Sequence, residues 1–299
     1  MEEAILKADV LIEAMGYIRQ FRDRLTVIKL GGSAMEDAAA LRATLLDVVF
    51  METVGMRPIL VHGGGSAISR AMAEAGLKPH FVQGRRYTDA KTLEIVTRVL
   101  TDEINRDLVS QIEQLGGRAA GLHDRTTNCL KGEGISLEDE SGGAIDLGFV
   151  GRVEEVDRRI LENLCDAGVV PVVPSIAVDA SGQRLNVNAD TAAAAVAREL
   201  RAEKLVFLSD VSGILREPGN PESLANSLTA AECRALMAGG IIGSGMIPKV
   251  EACLESLEAG VRKTHIVDGR VRHSLLLEIY TDRGMGTEIV LKRKEDCSH

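Results

Sequence analysis

Short apolar runs alternate with amphipathic stretches along most of the chain. The segment RPILVHGGGSAISRAMAEAG (57–76) reads as an apolar strand, a glycine turn, an amphipathic helix and a glycine stop. KLVFLSDVSGIL (204–215) is an apolar strand running into a polar turn, and GMIPKVEACLESLEAG (245–260) is a helix that stops at Gly260. NADTAAAAVARELRA (188–202) predicts a helix, with Asp190 at its N-cap position and strong helix formers after it. GVVPVVPSIAV reads as strands broken by Pro171 and Pro174, and THIVDGR and GTEIVL as short strands. Near-continuous apolar strands separated by helical patterns predict an α/β fold, a mainly parallel central sheet covered by helices on both faces. A break near Asp190 predicts two lobes on one continuous sheet, 22–190 and 191–299.

Two segments leave the alternation. Around 126–152 the chain turns polar and glycine-rich (KGEGISLEDESGGAIDLGFVGRVEEV), which predicts hairpins standing off the sheet. Residues 2–21 predict an isolated amphipathic helix, with Ile5, Ala8, Ile12 and Met15 on one stripe and Leu11 and Ile18 beside it. A lone amphipathic helix must bury that face, on its own domain or on a partner.

Composition narrows the function. The chain has 299 residues, 45% hydrophobic and 26% charged, which is ordinary for a globular protein with a sizeable core. A formal net charge of -9 argues against nucleic acid or an anionic membrane as partner, and leaves room for a small acidic ligand held by locally concentrated cations. Cys129, Cys165, Cys233, Cys253 and Cys297 are scattered, with no CxxC pair. That speaks against a thiolate metal site and for reduced thiols in a cytoplasmic setting. MEEAILKADVLIEAMGYIRQ starts acidic and lacks a long apolar core, so it reads as neither signal peptide nor anchor.

The candidate chemistry begins at VIKLGGSAM (27–35), where Lys29 interrupts an apolar strand just before Gly31 and Gly32. Lysine is rarely buried unless paired. An edge strand with a solvated lysine is the plain reading. A second glycine cluster, Gly63-Gly64-Gly65, also ends a strand and opens a helix, and such turns offer backbone N–H groups to an anion. Neither cluster is a Walker A loop or a spaced G-x-G-x-x-G. In LNVNAD, Asn186, Asn188 and Asp190 alternate, and an extended backbone would point all three the same way. Capping accounts for Asp190 alone but not for the two asparagines. Lys249 lies at the start of a helix, where a cation opposes the macrodipole, and Arg85-Arg86 could bind a carboxylate or be a solvated pair.

In order and spacing, IKLGGS, VHGGG, GRRYT, LNVNAD, SDVSGIL and GMIPKV resemble the amino acid kinase family from Lys29 to Val290. The resemblance implies a three-layer αβα sandwich and a phosphotransferase using ATP with Mg²⁺. The acceptor it implies is the γ-carboxylate of N-acetyl-L-glutamate. Carried over residue by residue, it places Lys29 and Lys249 on the transferring phosphoryl group, with Asp190 orienting both. Gly31, Gly32 and Gly64 would supply N–H donors. Gly64, Gly65, Arg86, Asn186 and Asn188 would hold the acceptor, and Gly31, Gly32, Asp210, Gly245 and Met246 the nucleotide. Arg85 departs from the apolar residue expected beside Arg86. A related acceptor, such as carrier-bound aminoadipate or glutamate, or a non-catalytic arginine sensor, remains open. The tail KTHIVDGRVRHSLLLEIYTDRGMGTEIV resembles that of arginine-inhibited members of the family, which also have an extra N-terminal helix. There the helix joins three dimers into a hexamer. The resemblance implies an L-arginine site made by Tyr17, His265, Glu278 and Gly284.

Overall fold

The computed structural model describes residues 1–123, 125–138, 143–243, 245–280 and 284–292. Cys297 and the tip of the polar region, 139–142, lie outside them. The N-terminal part runs α1 (Glu2–Phe21), β1 (Leu25–Leu30), α2 (Ala38–Thr53), β2 (Arg57–His62), α3 (Gly65–Glu74), β3 (Phe81–Val82), β4 (Arg85–Arg86) and α4 (Ala90–Thr97). α4 continues through a π-helical stretch (Arg98–Asn105) into α5 (Arg106–Gln114). Then come β5 (Ala119–Gly121), β6 (Leu130–Glu138), β7 (Ala144–Val156), α6 (Arg158–Asp166), β8 (Val170–Pro174), β9 (Ile176–Val178) and β10 (Arg184–Val187). The remainder is α7 (Ala189–Glu199), β11 (Lys204–Ser209), β12 (Ser227–Thr229), α8 (Ala230–Ala238), α9 (Ile247–Glu258), β13 (Lys263–Asp268), α10 (Ser274–Ile279) and β14 (Thr287–Val290).

Eight strands form one sheet in the order β12-β14-β13-β11-β1-β2-β8-β5, parallel except where β13 meets β14. Period-2 alternation sorts its side chains between two helical layers. Ile28, Leu30, Leu60, Val206 and Leu208 pack with Leu45 and Val48 of α2, Ile112 of α5 and Leu275 of α10. Val27, Val61, Leu205 and Phe207 pack on the opposite face with Leu161 of α6, the alanines of α7 and Leu254 of α9. The fold is therefore the three-layer α/β sandwich that the patterning implied. Lys29 shares parity with Val27, so it faces α7 and α9.

Two local expectations are corrected. Pro171 does not break a strand: it lies inside β8, one residue before that strand begins pairing with β2 at Val172, so its missing N–H leaves no ladder bond unmade. The cap of α7 is Asn188, not Asp190. The Asn188 Oδ1 accepts from the N–H groups of Asp190 (2.8 Å) and Thr191 (3.1 Å). Asn188→Ala is expected to cost about 0.5–2 kcal/mol in chemical denaturation, as removal of an N-cap does.

The polar region is a long β6–β7 hairpin that closes with β9 and β10 into a small barrel beside the main sheet. Its Gly148 backbone bridges Thr88, and Val150 reaches the cleft between the glycine turn and β10. On α1 the residues Ile5, Leu6, Val10, Leu11, Ile12 and Met15 are exposed, while Tyr17 and Ile18 are half-buried and Phe21 enters the core. The apolar stripe is thus not covered by its own domain.

Candidate active site

At the C-terminal ends of the parallel strands, three charged side chains from three elements converge. Lys29 leaves β1, Asp190 lies in the first turn of α7, and Lys249 lies in the first turn of α9. The Lys29 Nζ is 2.8 Å from Asp190 Oδ1, and the Lys249 Nζ is 2.8 Å from Asp190 Oδ2. One carboxylate therefore bridges two ammonium groups. Burial pushes the Asp190 carboxyl up, but the two lysines outweigh it and hold the group at about 2. Burial lowers Lys29 from its ordinary value, and the nearby Lys249 adds to this while Asp190 opposes it. Lys249 also lies 5.5 Å over the ring of Phe207. The local cost of a cation at a helix N-terminus is offset by Asp190. Both ammonium groups retain N–H donors beyond those spent on Asp190, so the cluster can accept an anion between two cations.

Two cavities are lined by neighbouring stretches of the same strand ends. One, of about 380 Å³, is walled by Asp210, Gly213, Ile214, Ile242, Met246 and Arg270. Gly245 lies in the turn just before α9. The other, about 170 Å³, is formed by Gly63, Gly64, Gly65, Arg85, Arg86, Val150, Asn186 and Asn188, among others. Arg86 is buried and held from three sides. Its Nη2 donates to the Gly65 carbonyl (3.0 Å) and to Ser69 Oγ (2.8 Å), and its guanidinium stacks 4.8 Å from the Phe81 ring centre. The Asn186 amide donates to Thr88 Oγ1 (3.0 Å).

The structure alters some of the expected roles. Gly31 cannot offer its N–H to a ligand, because that group donates to the Leu208 carbonyl at 3.1 Å. Its glycine identity has a different reason: an added Cβ would stand 2.7 Å from the same carbonyl. Asn186, Asn188 and Asp190 do not share one direction, since β10 ends at Val187 and the helix begins at Ala189. Asn186 reaches the cavity, Asn188 spends its oxygen on the cap, and Asp190 turns to the lysines.

Apart from this cleft, strand β13, helix α10 and the turn before β14 bring together His265, Glu278 and Gly284. The His265 Nδ1 is 2.7 Å from Glu278 Oε1, and both side chains are buried. Glu278 Oε2 accepts the N–H groups of Met285 (2.6 Å) and Gly286 (2.8 Å). Gly284 has φ +64°, and a Cβ there would meet Glu278 Oε2 at 2.6 Å. Tyr17 packs edge-on against Tyr280 at 5.9 Å. Glu278 is therefore not an ordinary surface carboxylate. Lys204 lies outside the expected site residues, yet it is buried with its ammonium 4.4 Å over the Phe21 ring, and burial pushes it down to about 8. Its signal was available: a lysine opening the apolar strand KLVFLS resembles Lys29 in VIKLGG. Ser69 and Phe81, which hold Arg86, had no comparable signal.

Residues 24–268 match the model of the amino acid kinase family. The chain belongs to the amino acid kinase family. A family member from Heliobacterium modesticaldum named acetylglutamate kinase is 44% identical over 294 residues, covering 97% of this chain and 100% of its own length. Another so named, from Synechococcus elongatus, is 46% identical over 281 residues, covering 94% and 91%. Among solved structures, N-acetylglutamate synthase from Neisseria gonorrhoeae, complexed with coenzyme A and N-acetyl-glutamate, superposes with a TM-score of 0.83 at 27% identity. The match covers 95% of this chain and 63% of that one. The family fold extends to carbamate kinase from Giardia lamblia bound to AMP-PNP, with a TM-score of 0.61 at 19% identity over 89% and 98% of the two chains.

Proposed function

We propose that this chain transfers the γ-phosphoryl group of ATP to the γ-carboxylate of N-acetyl-L-glutamate, giving an acyl phosphate for arginine biosynthesis. The observation that carries the reading is the Lys29–Asp190–Lys249 cluster, with a separate cavity for each substrate lined from adjoining strand ends. Full-length relatives at 43–46% identity named acetylglutamate kinase support the acceptor. The acceptor oxygen is already ionised, since a glutamate-type carboxyl has a pKa of about 4.3, so no general base is required. The difficulty is bringing two anions together, and phosphoryl transfer is catalysed mainly by positioning and charge stabilisation.

In this reading Lys29 and Lys249 neutralise the transferring group from opposite sides, and Asp190 keeps them apart and oriented. Gly32 and Gly64 offer N–H donors. Arg86 takes the α-carboxylate, and Asn186 with Gly65 the rest of the acceptor. Asp210 and Met246 line the nucleotide site. The acceptor lobe is 22–190 and the ATP lobe 191–299. Mg²⁺ enters with ATP, held mainly by phosphate oxygens and water as is usual for this ion; Asp210 is the carboxylate on the nucleotide cavity that could add a protein oxygen. Among the described residues no helix is long and apolar enough to cross a membrane. A biosynthetic reaction on free metabolites and four free cysteines among those residues favour the cytoplasm. An acceptor screen by ADP release tests the substrate: N-acetyl-L-glutamate should exceed glutamate and aminoadipate, and preference for either of those would overturn the assignment.

L-arginine feedback is the regulatory half of the proposal. Glu278 would receive the arginine guanidinium, with His265, Gly284 and Tyr17 around it. The N-acetylglutamate synthase of N. gonorrhoeae, solved also with L-arginine, matches at a TM-score of 0.79. Gly284→Ala should raise the half-inhibitory arginine concentration at least about tenfold, since a Cβ in the left-handed region crowds Glu278 and arginine must bind two states differently to act. An unchanged inhibition curve would remove these residues from the site. The exposed stripe of α1 is assigned to a counterpart helix in a hexamer built as a trimer of dimers. Charging the stripe with Leu11→Asp and Ile12→Asp should leave dimers in analytical ultracentrifugation.

A further inference from the structure

His62 closes β2 immediately before the Gly63-Gly64-Gly65 turn, and it is completely buried. No role proposed above uses it. Its Nδ1 lies 3.1 Å from the carbonyl oxygen of Gly63, and its Nε2 lies 3.1 Å from Nδ2 of Asn105. The same Nδ2 donates at 2.9 Å to the carbonyl of Val172 on the adjoining strand. An amide nitrogen has two hydrogens and no free lone pair. One therefore goes to Val172 and the other to His62, so Nε2 of the ring must be the acceptor. Burial drops His62 to about 4, so the ring is neutral at physiological pH. Its single proton then sits on Nδ1 and points at the Gly63 carbonyl.

That bond has a geometric consequence. Among the described residues every peptide is trans, and in a trans peptide the C=O and the next N–H point in opposite directions across one rigid plane. Fixing the Gly63 carbonyl against the ring aims the Gly64 N–H away from it. The Gly64 N–H has no acceptor among the described residues, and Gly64 lines the acceptor cavity. His62 itself is not among the residues that line this cavity.

Asn105 is itself specially placed. It ends the π-helical stretch Arg98–Asn105, and π-turns inside helices concentrate at functional positions. Its Oδ1 occupies the space above Gly121, where a Cβ would stand 2.1 Å away. A wider helical turn and a glycine on β5 together make room for one amide between β2, β8 and β5.

We propose that His62 and Asn105 are positioning residues for phosphoryl transfer: Asn105 fixes the ring tautomer, and His62, through the Gly63 carbonyl, aims the Gly64 N–H at the reacting oxygens. This rests on the kinase reading given above. Two substitutions separate positioning from simple packing. In His62→Asn the side-chain amide can reproduce the Nδ1–H. In His62→Gln the amide reproduces only the Nε2 end, although Gln fills the site better. Positioning predicts that kcat falls about tenfold further in His62→Gln than in His62→Asn, with KM for both substrates within about threefold of the parent, even though His62→Asn unfolds at lower denaturant. If kcat instead follows stability, with His62→Gln the better enzyme, the proposal is wrong. The ¹⁵N spectrum of histidine-labelled parent protein supplies a test independent of any variant's folding and of any substrate. A neutral His62 protonated on Nδ1 is expected, and an Nε2–H tautomer overturns the proposal. Absence of turnover in the parent would count against the kinase reading, while the tautomer measurement would still decide the geometry.

Discussion

Lys249→Ala is expected to lower kcat by about 10²–10³-fold while the chain stays folded and KM for the acceptor changes only a few-fold. Removing one preorganised group that meets developing charge costs on this scale. The Lys249 ammonium sits in the first turn of α9, where the backbone gives it no local benefit, and its fixed partner is Asp190. In the proposed reaction its interaction strengthens as charge builds on the transferring group, which places the loss in kcat rather than in KM. Steady-state kinetics of the purified variant checks this. A rise in KM with kcat intact would make Lys249 a ground-state binding group instead.

Asp190→Asn should be the most destabilising change in the cleft and should also cripple turnover. It leaves the two ammonium groups of Lys29 and Lys249 without their shared counter-charge, and breaking a buried ion pair costs on the order of 3–5 kcal/mol. The pH dependence follows from the sign of the shift. The Asp190 carboxyl is depressed from 3.8 to about 2 by the lysines against the opposing effect of burial. Its contribution is therefore present above pH 3.8 and lost as pH falls through that value towards 2. The gap in unfolding free energy between parent and Asp190→Asn should be full at pH 6 and shrink below pH 4. Burial lowers Lys29, so desolvation of that ammonium offsets part of what Asp190 gains. A gap independent of pH would mean that Asp190 is not held by the lysines.

The layers of the fold were legible because period-2 and helical patterns directly report which face is buried, as at Val27 and Ile28, which enter opposite layers. Lys29 was legible as an anomaly, since a lysine inside an apolar strand needs a partner. The family resemblance names Asp190 as the residue that orients both lysines, whereas the residues alone give it only the mark of a helix cap, and the backbone assigns that cap to Asn188. Gly31 misled in the same way: a glycine can mean a free N–H or a close approach, and here the Leu208 carbonyl decides for the second. The His62–Asn105 bond joins residues 43 apart, and no spacing rule connects a strand end to a π-turn. The barrel beside the sheet was visible only as hairpins, because its closure depends on pairing between β6, β7, β9 and β10 across long stretches of chain.

Phosphoryl transfer to the acceptor carboxylate is measured by incubating the protein with ATP, Mg²⁺ and N-acetyl-L-glutamate in the presence of hydroxylamine. The parent protein should give stoichiometric ADP and N-acetyl-γ-glutamyl hydroxamate, both suppressed in Lys249→Ala. ADP release without hydroxamate, or hydroxamate formed only from a different acceptor, would contradict it.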